Sequence, residues 1–414
     1  MTDQLLNHKN ILLCITGGIA AYKAADLCSK LVQAGAQVDV VMTEAATRFV
    51  APLTFSALSG RAARVDMWAE PGGQPIPHVQ MAAAADLVIV APLSANTLAK
   101  LALGLADNLL TSTLLATHVP WVLAPAMESH MWSNPMTQAH AASLAARGAI
   151  LVGPGEGRLA SGALGVGRMA EPSEILAAAR AVFTWGGPLA GRRVVVTAGG
   201  TQEPLDPVRY ITNASSGKMG VALVEAARDL GAAVTLVHAP LAVPVPYGVE
   251  GVRVRTAQEM RDAVLDRLPR TDILIGAAAV ADFRPAEAAA QKIKKTPDQE
   301  ALTLRLVRNP DILGEVAIRR AQIGLPAVVI GFAAETQDLL ANAAAKLSAK
   351  RLDMIVANDV TEPGSGFGSD DNRVTLLFAD GRQDALPLMG KRDVAWRVLQ
   401  EAAALGGRAH RGAA

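Results

Sequence analysis

Arg193-Val194-Val195-Val196-Thr197-Ala198-Gly199-Gly200 and Ile11-Leu12-Leu13-Cys14-Ile15-Thr16-Gly17-Gly18 follow the same pattern. Each is a short apolar run that breaks at a pair of glycines, the pattern of a buried strand ending in a tight turn. After the earlier run, a helical pattern begins at Ala20 and reaches about Ala34. Gly35 stops it, and Gln37 to Met42 reads as the next strand. After the later run a polar insertion, Thr201 to Ser216, comes first. A helix from Gly217 to about Leu230, a stop at Gly231 and a strand from Ala233 to Val237 follow. Two strand–helix–strand starts predict an α/β chain of two doubly wound Rossmann-like domains with mostly parallel sheets. The stretch Trp185-Gly186-Gly187-Pro188-Leu189-Ala190-Gly191 marks the boundary, giving domains 1–188 and 189–414. Further strands are expected at Leu87–Val90, Trp121–Ala124, Ile150–Val152, Ile273–Gly276, Ala327–Gly331 and Met354–Ala357. Val374–Phe378 leads into a hairpin at Asp380–Gly381, and the tail from Gly406 to Ala414 is predicted to be disordered.

The composition limits the function. The 414 residues are 51% hydrophobic and 19% charged, which excludes a largely disordered chain. Mean hydropathy is +0.26, yet no apolar run reaches the ~18 residues of a spanning helix. Buried parallel strands and alanine-rich helices account for the value. Thirty-nine basic against 38 acidic side chains give a formal charge of +1, so bulk attraction to nucleic acid or acidic lipid is not expected. Cys14 and Cys28 lie in apolar runs and read as buried thiols. The polar stretch Met1–Asn10 has no signal-peptide core, so a reducing cytoplasm is expected.

Glycines after a first strand let the backbone approach a phosphate at a helix N-terminus. Thr16-Gly17-Gly18-Ile19-Ala20 is not GxGxxG, which speaks against a nicotinamide dehydrogenase but leaves room for one phosphate. Thr43-Glu44 and Ala91-Pro92-Leu93-Ser94-Ala95-Asn96-Thr97 follow other strands and belong on the same rim. Ser94, Asn96 and Thr97 equally suit plain helix capping.

With Thr16–Lys23, Met42-Thr43-Glu44-Ala45, Ala91–Asn96 and Ala124-Pro125-Ala126-Met127, the first half resembles the flavin-containing cysteine decarboxylases. The resemblance implies FMN against Gly17, Gly18, Ile19, Thr43, Ala91, Ser94, Ala95 and Asn96. It implies an essential histidine at His78, and substrate held by Met127, Ala160, Gly162, Arg168 and Met169. It also implies the chemistry: oxidation of the cysteinyl group to a thioaldehyde, loss of CO2, and return of a hydride to the enethiol. The sequence departs from the family pattern twice. Glu128 stands where that family has an asparagine for the substrate carboxylate, and an ionised Glu128 repels a carboxylate. Ser161 stands where it has a proton-donating cysteine, and a hydroxyl is a much weaker acid than a thiol.

The insertion Gln202-Glu203-Pro204-Leu205-Asp206-Pro207-Val208-Arg209-Tyr210-Ile211-Thr212-Asn213-Ala214-Ser215-Ser216-Gly217-Lys218-Met219-Gly220 ends at a helix N-terminus. Ser215, Ser216 and Gly217 there suit a phosphate, and Lys218 adds charge. Gly276-Ala277-Ala278-Ala279-Val280-Ala281-Asp282-Phe283 follows a strand, and its small residues admit a base or ribose. Lys292-Ile293-Lys294-Lys295 reads as a solvated face or a triphosphate contact. Lys346 and Lys350 share a helix face. With Asn309-Pro310-Asp311-Ile312-Leu313 and Gly331-Phe332-Ala333-Ala334-Glu335-Thr336, this half resembles the phosphopantothenate–cysteine ligases.

Together the halves resemble the bifunctional coenzyme A biosynthesis family of bacteria. That resemblance gives Asn213 to the acyl-nucleotide, Arg209 to the activated carboxylate and Lys292 an essential role. It gives the nucleotide to Gly276, Ala277, Ala278, Asp282, Pro310, Asp311, Ile312, Leu313, Phe332, Lys346 and Lys350. It implies CTP with Mg2+, 4′-phosphopantothenate and cysteine as partners, and a homo-oligomer, a dodecamer built from trimers with ligase domains paired as dimers. Glu128 and Ser161 also leave a second reading, a ligase whose flavoprotein half is slow or silent.

Overall fold

The two apolar runs become central strands of two separate sheets, each in its own unit. The computed structural model describes residues 5–68, 76–184, 186–294, 302–335, 338–359 and 368–411 (backbone only at 335, 359 and 408–411). The chain divides into Asp3–Phe183 and Thr184–Ala414.

The first unit runs β1 (Asn10–Ile15), α1 (Ala21–Gln33), β2 (Gln37–Met42), α2 (Glu44–Thr47), α3 (Pro52–Ser59), α4 (Pro77–Ala84), β3 (Leu87–Leu93), α5 (Ala95–Leu103) and α6 (Leu109–Ala116). It continues with β4 (Trp121–Pro125), α7 (Ser129–Ser133), α8 (Pro135–Ala146), β5 (Ile150–Leu151), the hairpin β6 (Gly155–Arg158) and β7 (Leu164–Arg168), and α9 (Pro172–Phe183). Its five-stranded sheet is all parallel in the order β2-β1-β3-β4-β5. The order reverses between β1 and β3, where a doubly wound sheet opens a crevice at its strand C-termini. β3 is buried along its whole length, as a strand covered on both faces must be. Leu12, Val88, Val90 and Leu123 pack against Leu98, Leu101, Leu114 and Leu144 of the covering helices. Each such side chain contributes roughly 1.5–3 kcal/mol on burial. Cys14 and Cys28 are free and buried. Burial pushes the Cys28 thiol up to about 11 and Cys14 higher still, so neither is a thiolate near neutral pH.

The second unit runs β8 (Arg193–Ala198), β9 (Gln202–Pro204), β10 (Tyr210–Thr212), α10 (Lys218–Asp229), β11 (Ala233–His238), β12 (Glu250–Arg253), α11 (Ala257–Arg267), β13 (Ile273–Gly276), β14 (Phe283–Pro285) and β15 (Leu306–Arg308). Then come α12 (Ile312–Ile323), β16 (Val328–Glu335), α13 (Leu339–Ala349), β17 (Met354–Asp359), β18 (Asp371–Asn372), β19 (Val374–Phe378), β20 (Gln383–Ala385), β21 (Met389–Gly390) and α14 (Lys391–Arg411). The eight-stranded sheet has the order β12-β11-β8-β13-β16-β17-β19-β20. It is parallel as far as β17, and the β19–β20 hairpin adds antiparallel edge strands. Its order reverses between β8 and β13. Val194 and Val196 face the core beneath α10 and α14, whereas Val195 faces the one beneath α11, α12 and α13. That alternation is the period of two acting on a strand buried on both sides.

The tail departs from expectation. Residues Gly406 to Arg411, predicted to be disordered, continue α14. Val394, Val398, Leu399 and Ala402 anchor that helix in the core, and an anchored helix adds one hydrogen bond per further residue. Two glycines, at about 1 kcal/mol each, do not stop it. Among the described residues no helix is long and apolar enough to cross a membrane.

Candidate functional site

Each switch point carries a cleft whose rim is tied by a threonine at the end of the first strand. In the first unit the buried Thr16 hydroxyl donates to the Pro92 carbonyl (2.7 Å) and accepts from the Ser94 N–H (2.9 Å). This joins the loop after β1 to the loop after β3.

A cavity of about 690 Å3 opens there. Gly17, Gly18, Ile19 and Ala20 line it from the β1–α1 loop, Tyr22 and Lys23 from the first turn of α1, and Ser94 and Ala95 from the start of α5. Met127, Glu128 and Met131 come from the segment after β4. Ala160, Ser161, Arg168 and Met169 come from the β6–β7 hairpin and its flanks. α1 has no side-chain N-cap: its Ala21 and Lys23 N–H groups donate to the Gly18 and Ala20 carbonyls, and the positive end of the helix faces the glycine loop. Gly17 has no room for a side chain: a Cβ there would lie 2.6 Å from the Ala45 Cβ.

The hairpin is seated by glycine as well. The Gly167 carbonyl accepts from the Met127 N–H (3.0 Å), and a Cβ on Gly167 would lie 2.2 Å from the Met127 carbonyl oxygen. Glu171 accepts from Lys23 (2.7 Å) and Arg168 (3.4 Å), which draws two cations to the cleft wall. Glu128 caps α7, its carboxylate accepting from the His130 N–H at 2.6 Å.

Not every anticipated residue reaches this cleft. Thr43 uses its hydroxyl to cap α2 and does not line the cavity, and neither does the exposed Asn96; Ser94 lines it while its hydroxyl caps α5. Ala91 is fully buried behind the rim, and Gly162 sits in the hairpin turn with φ +87°. His78, on α4, lies outside the cleft, and its buried Nδ1 finds no partner among the described residues. Lys23, Tyr22 and Arg158 line the cavity without having been singled out as ligands.

In the second unit Thr197 accepts from the Ala278 N–H (3.2 Å), and Thr201 accepts from the Ala281 N–H (3.0 Å). Two adjoining cavities, about 480 and 610 Å3, share Ala278, Val280, Asp282 and Phe332. The smaller is lined by Gly276, Pro310, Asp311, Ile312, Leu313 and Lys350. Asp311 caps α12 by accepting from the Gly314 N–H and also pairs with Lys350 at 3.0 Å. The larger is lined by Asn213, Ser215, Ser216, Gly217, Lys218, Ala277, Lys346 and Lys391. Lys346, in the last turn of α13, and Lys350, its C-cap residue, therefore serve different halves of the cleft.

Gly217 takes the left-handed conformation (φ +74°) that starts α10 without a side-chain cap. The Ser215 and Ser216 hydroxyls accept from the Gly217 and Lys218 N–H groups, which shapes the approach to that helix end. Asn213 donates to the Val280 carbonyl (3.0 Å) and Asn309 to the Ala281 carbonyl (2.7 Å), fixing the 278–282 loop. Lys218 donates to Asp370 (2.7 Å) and holds its carboxyl below the usual range. Lys391 is nearly buried and donates to the Ser369 carbonyl. Burial, then the Lys218 charge, pull its pKa down.

Lys391 opens α14 far along the chain, outside any motif, and only the charge at a helix start hinted at it. Arg209 does not line the cleft: its guanidinium binds Asp206 (2.6 and 2.9 Å) and the Ile293 carbonyl (2.6 Å). Lys292 is exposed and also lies off the lining. Lys295 and Thr336 lie outside the described residues.

Comparison with known proteins gives the family. Residues 2–184 match the family described as Flavoprotein. Residues 189–405 match the one described as DNA/pantothenate metabolism flavoprotein C-terminal domain. The chain is 48% identical over 404 residues to the coenzyme A biosynthesis bifunctional protein CoaBC of Bacillus subtilis (strain 168), covering 97% of this chain and 98% of that one. It is 47% identical to the protein of that name from Vibrio cholerae serotype O1, over 96% of this chain and 98% of that one. Against the one from Mycobacterium tuberculosis it is 44% identical, over 96% and 97%.

Proposed function

This chain belongs to the bifunctional coenzyme A biosynthesis family, and on that premise we propose how its two clefts divide the work of phosphopantothenate–cysteine ligase and phosphopantothenoylcysteine decarboxylase. The observation that carries the assignment is what lines each cleft. Lys218, Lys346 and Lys391 line the second beside the start of α10, whereas the glycine loop before α1 lines the first, with Lys23, Arg158 and Arg168 on its wall.

In the second cleft, Ser215, Ser216, Gly217 and Lys218 hold the phosphate of 4′-phosphopantothenate. Phe332 and residues 310–313 take the base and ribose of CTP. The pantothenate carboxylate attacks the α-phosphate and pyrophosphate leaves, with Mg2+ arriving on the triphosphate. Lys346 and Lys391 offset the charge that builds on the leaving oxygens. The amine of cysteine then attacks the acyl carbon of the acyl-cytidylate, and CMP departs. Asp282, shared by both cavities, accepts hydrogen bonds from the nucleotide.

The residues of the first cleft fit FMN. Gly17 and Gly18 admit a phosphate to the α1 N-terminus, and the cavity lies in the ~300–1,000 Å3 range of cofactor sites. The flavin supplies two-electron oxidation and its reversal. Arg168 and Lys23 attract the substrate's anionic groups. Ser161 orients the water that delivers the last proton. Glu128, fixed by its cap on α7, opposes a carboxylate on its side of the cleft. This supports a slower decarboxylation than the ligation that feeds it. His78 is off its own chain's cleft, which supports a homo-oligomer in which it serves the cleft of another copy, in the cytoplasm.

Supplying the protein with phosphopantothenate, cysteine, CTP and Mg2+ tests the assignment. Pyrophosphate and CO2 are followed separately, and both are expected, with CO2 lagging. Pyrophosphate without CO2 would restrict the first unit to binding or assembly. Neither product would sink the assignment. Ser161→Cys should speed formation of the final product relative to CO2 release by about 100-fold, the low end of what a positioned proton donor contributes.

A further inference from the structure

The Arg209 guanidinium is not committed alone. Its partner Asp206 is 2% exposed and accepts five hydrogen bonds: from the Val208 and Arg209 N–H groups (both 2.8 Å), from Arg209 Nε and Nη2 (2.9 and 2.6 Å), and from the Ile293 N–H (3.1 Å). Arg209 Nη2 in turn donates to the Ile293 carbonyl at 2.6 Å. Both backbone groups of Ile293 are thus taken by one ion pair, which stands in for a strand partner. The Ala289 N–H adds a bond to the Leu205 carbonyl (2.9 Å), so the 205–209 loop grips the 289–293 segment at two points. Burial alone would raise the Asp206 pKa, but the Arg209 guanidinium and the three N–H donors outweigh it and hold the carboxyl well below the usual range. The clasp therefore stays ionised at any pH where the protein works.

We propose that Asp206 is a positioning residue for ligation: with Arg209 it fixes Ile293, and thereby the backbone from which Lys292 and Lys294 project toward the nucleotide. This rests on the reading that the lysine segment meets the triphosphate. It also explains why the two lysines are exposed and yet useful. A flexible side chain on a wandering loop pays ordering entropy with each turnover, and one on a pinned backbone pays less. The same loop joins β9 to β10, and β10 leads into Asn213 and the Ser215–Lys218 turn. One ion pair thus sets the spacing between the lysine segment and the phosphate-holding turn.

A double-mutant cycle tests this. The wild type, Asp206→Asn, Lys292→Ala and the double variant are compared as full chains, by pyrophosphate release at varied CTP. Asparagine keeps the acceptor for Val208 and Arg209 but turns a donor toward the guanidinium. Asp206→Asn should lower kcat/KM for CTP by about tenfold and leave the KM for cysteine unchanged, a loss of about 1.4 kcal/mol. Lys292→Ala should cost more, and adding Asp206→Asn to it should cost less than a further twofold. Amide hydrogen exchange at Ile293 should speed up in Asp206→Asn while α10 exchanges as before. Multiplying losses, a wild-type-like Asp206→Asn, or unchanged exchange at Ile293 would overturn the proposal. If Asp206→Asn does not fold, Asp206→Glu, which keeps the charge, is taken through the same cycle under the same criteria. A wild type that releases no pyrophosphate would overturn the ligase reading together with this one. An active wild type with uncoupled variants would overturn this one alone.

Discussion

The two units place the same device at the same point and then diverge. In each, a threonine closing the first strand accepts an N–H from the loop across the switch point: Thr16 from Ser94, Thr197 from Ala278. In the first unit α1 follows almost at once, so its N-terminus and the glycine loop form one tight socket. In the second, the β9–β10 hairpin separates β8 from α10. The hairpin carries the cleft outward and adds Asn213, the two serines and the Asp206–Arg209 clasp. A tight βα turn suits a cofactor that stays in place. An extended one makes room for three substrates that must enter, react and leave. The walls differ accordingly: the first is seated by close glycine packing, the second by lysines.

That contrast can be broken in order of expected effect. Gly167→Ala attacks the packing wall. A Cβ 2.2 Å from the Met127 carbonyl must push the hairpin away. Overpacking of this kind costs roughly 1–3 kcal/mol locally and can misplace a reacting group at a cost of about 100-fold. CO2 release should fall by about that factor while pyrophosphate release stays at the wild-type rate; a matching loss of pyrophosphate would show that the units are not separable. Lys218→Ala attacks the charged wall. Losing a charged hydrogen bond of ~1.5–3 kcal/mol should raise the KM for phosphopantothenate by about tenfold or more and spare decarboxylation of added phosphopantothenoylcysteine.

Smaller effects sharpen the picture. Glu128→Asn keeps an acceptor for the His130 N–H and removes a charge from the first cleft. One like charge at partly solvated range is worth about 1 kcal/mol, so the KM of the carboxylated substrate should fall by about fivefold. The smallest test concerns Lys391. Its pKa is lowered, so its charge is lost at a lower pH than that of an ordinary lysine, near ~10.4. Ligation should therefore decline on the alkaline side before a free lysine would titrate. Lys391→Arg, which stays protonated, should move that limb upward. An unmoved limb would remove Lys391 from the charged wall.

Much of this was legible along the chain. The strand ends, the glycine turns and the string from Gln202 to Gly220 are local features, and the clefts form where local pattern placed them. Gly17, Ser94, Met127, Ser161, Ser216, Lys218, Asp282 and Phe332 all line a cleft. Other positions were not legible, because their roles depend on partners distant in sequence. Thr43 and Ser94 look alike as post-strand hydroxyls, yet Thr43 only caps a helix. Arg209 looked like a substrate contact until Asp206 and Ile293 claimed its guanidinium. Lys391 had no motif, since a helix that starts elsewhere in the chain brings it in.

Periodicity and turn chemistry act over a few residues, which is why the sequence alone determined two α/β units, their opening strands and the kinds of ligand each could take. The order of the strands, the division of Lys346 and Lys350 between two cavities, the exclusion of His78 from its own cleft and the clasp on Ile293 were decided only by tertiary structure. Those depend on which distant segments share a desolvated space, where a buried charge must find a partner whatever its place in the chain.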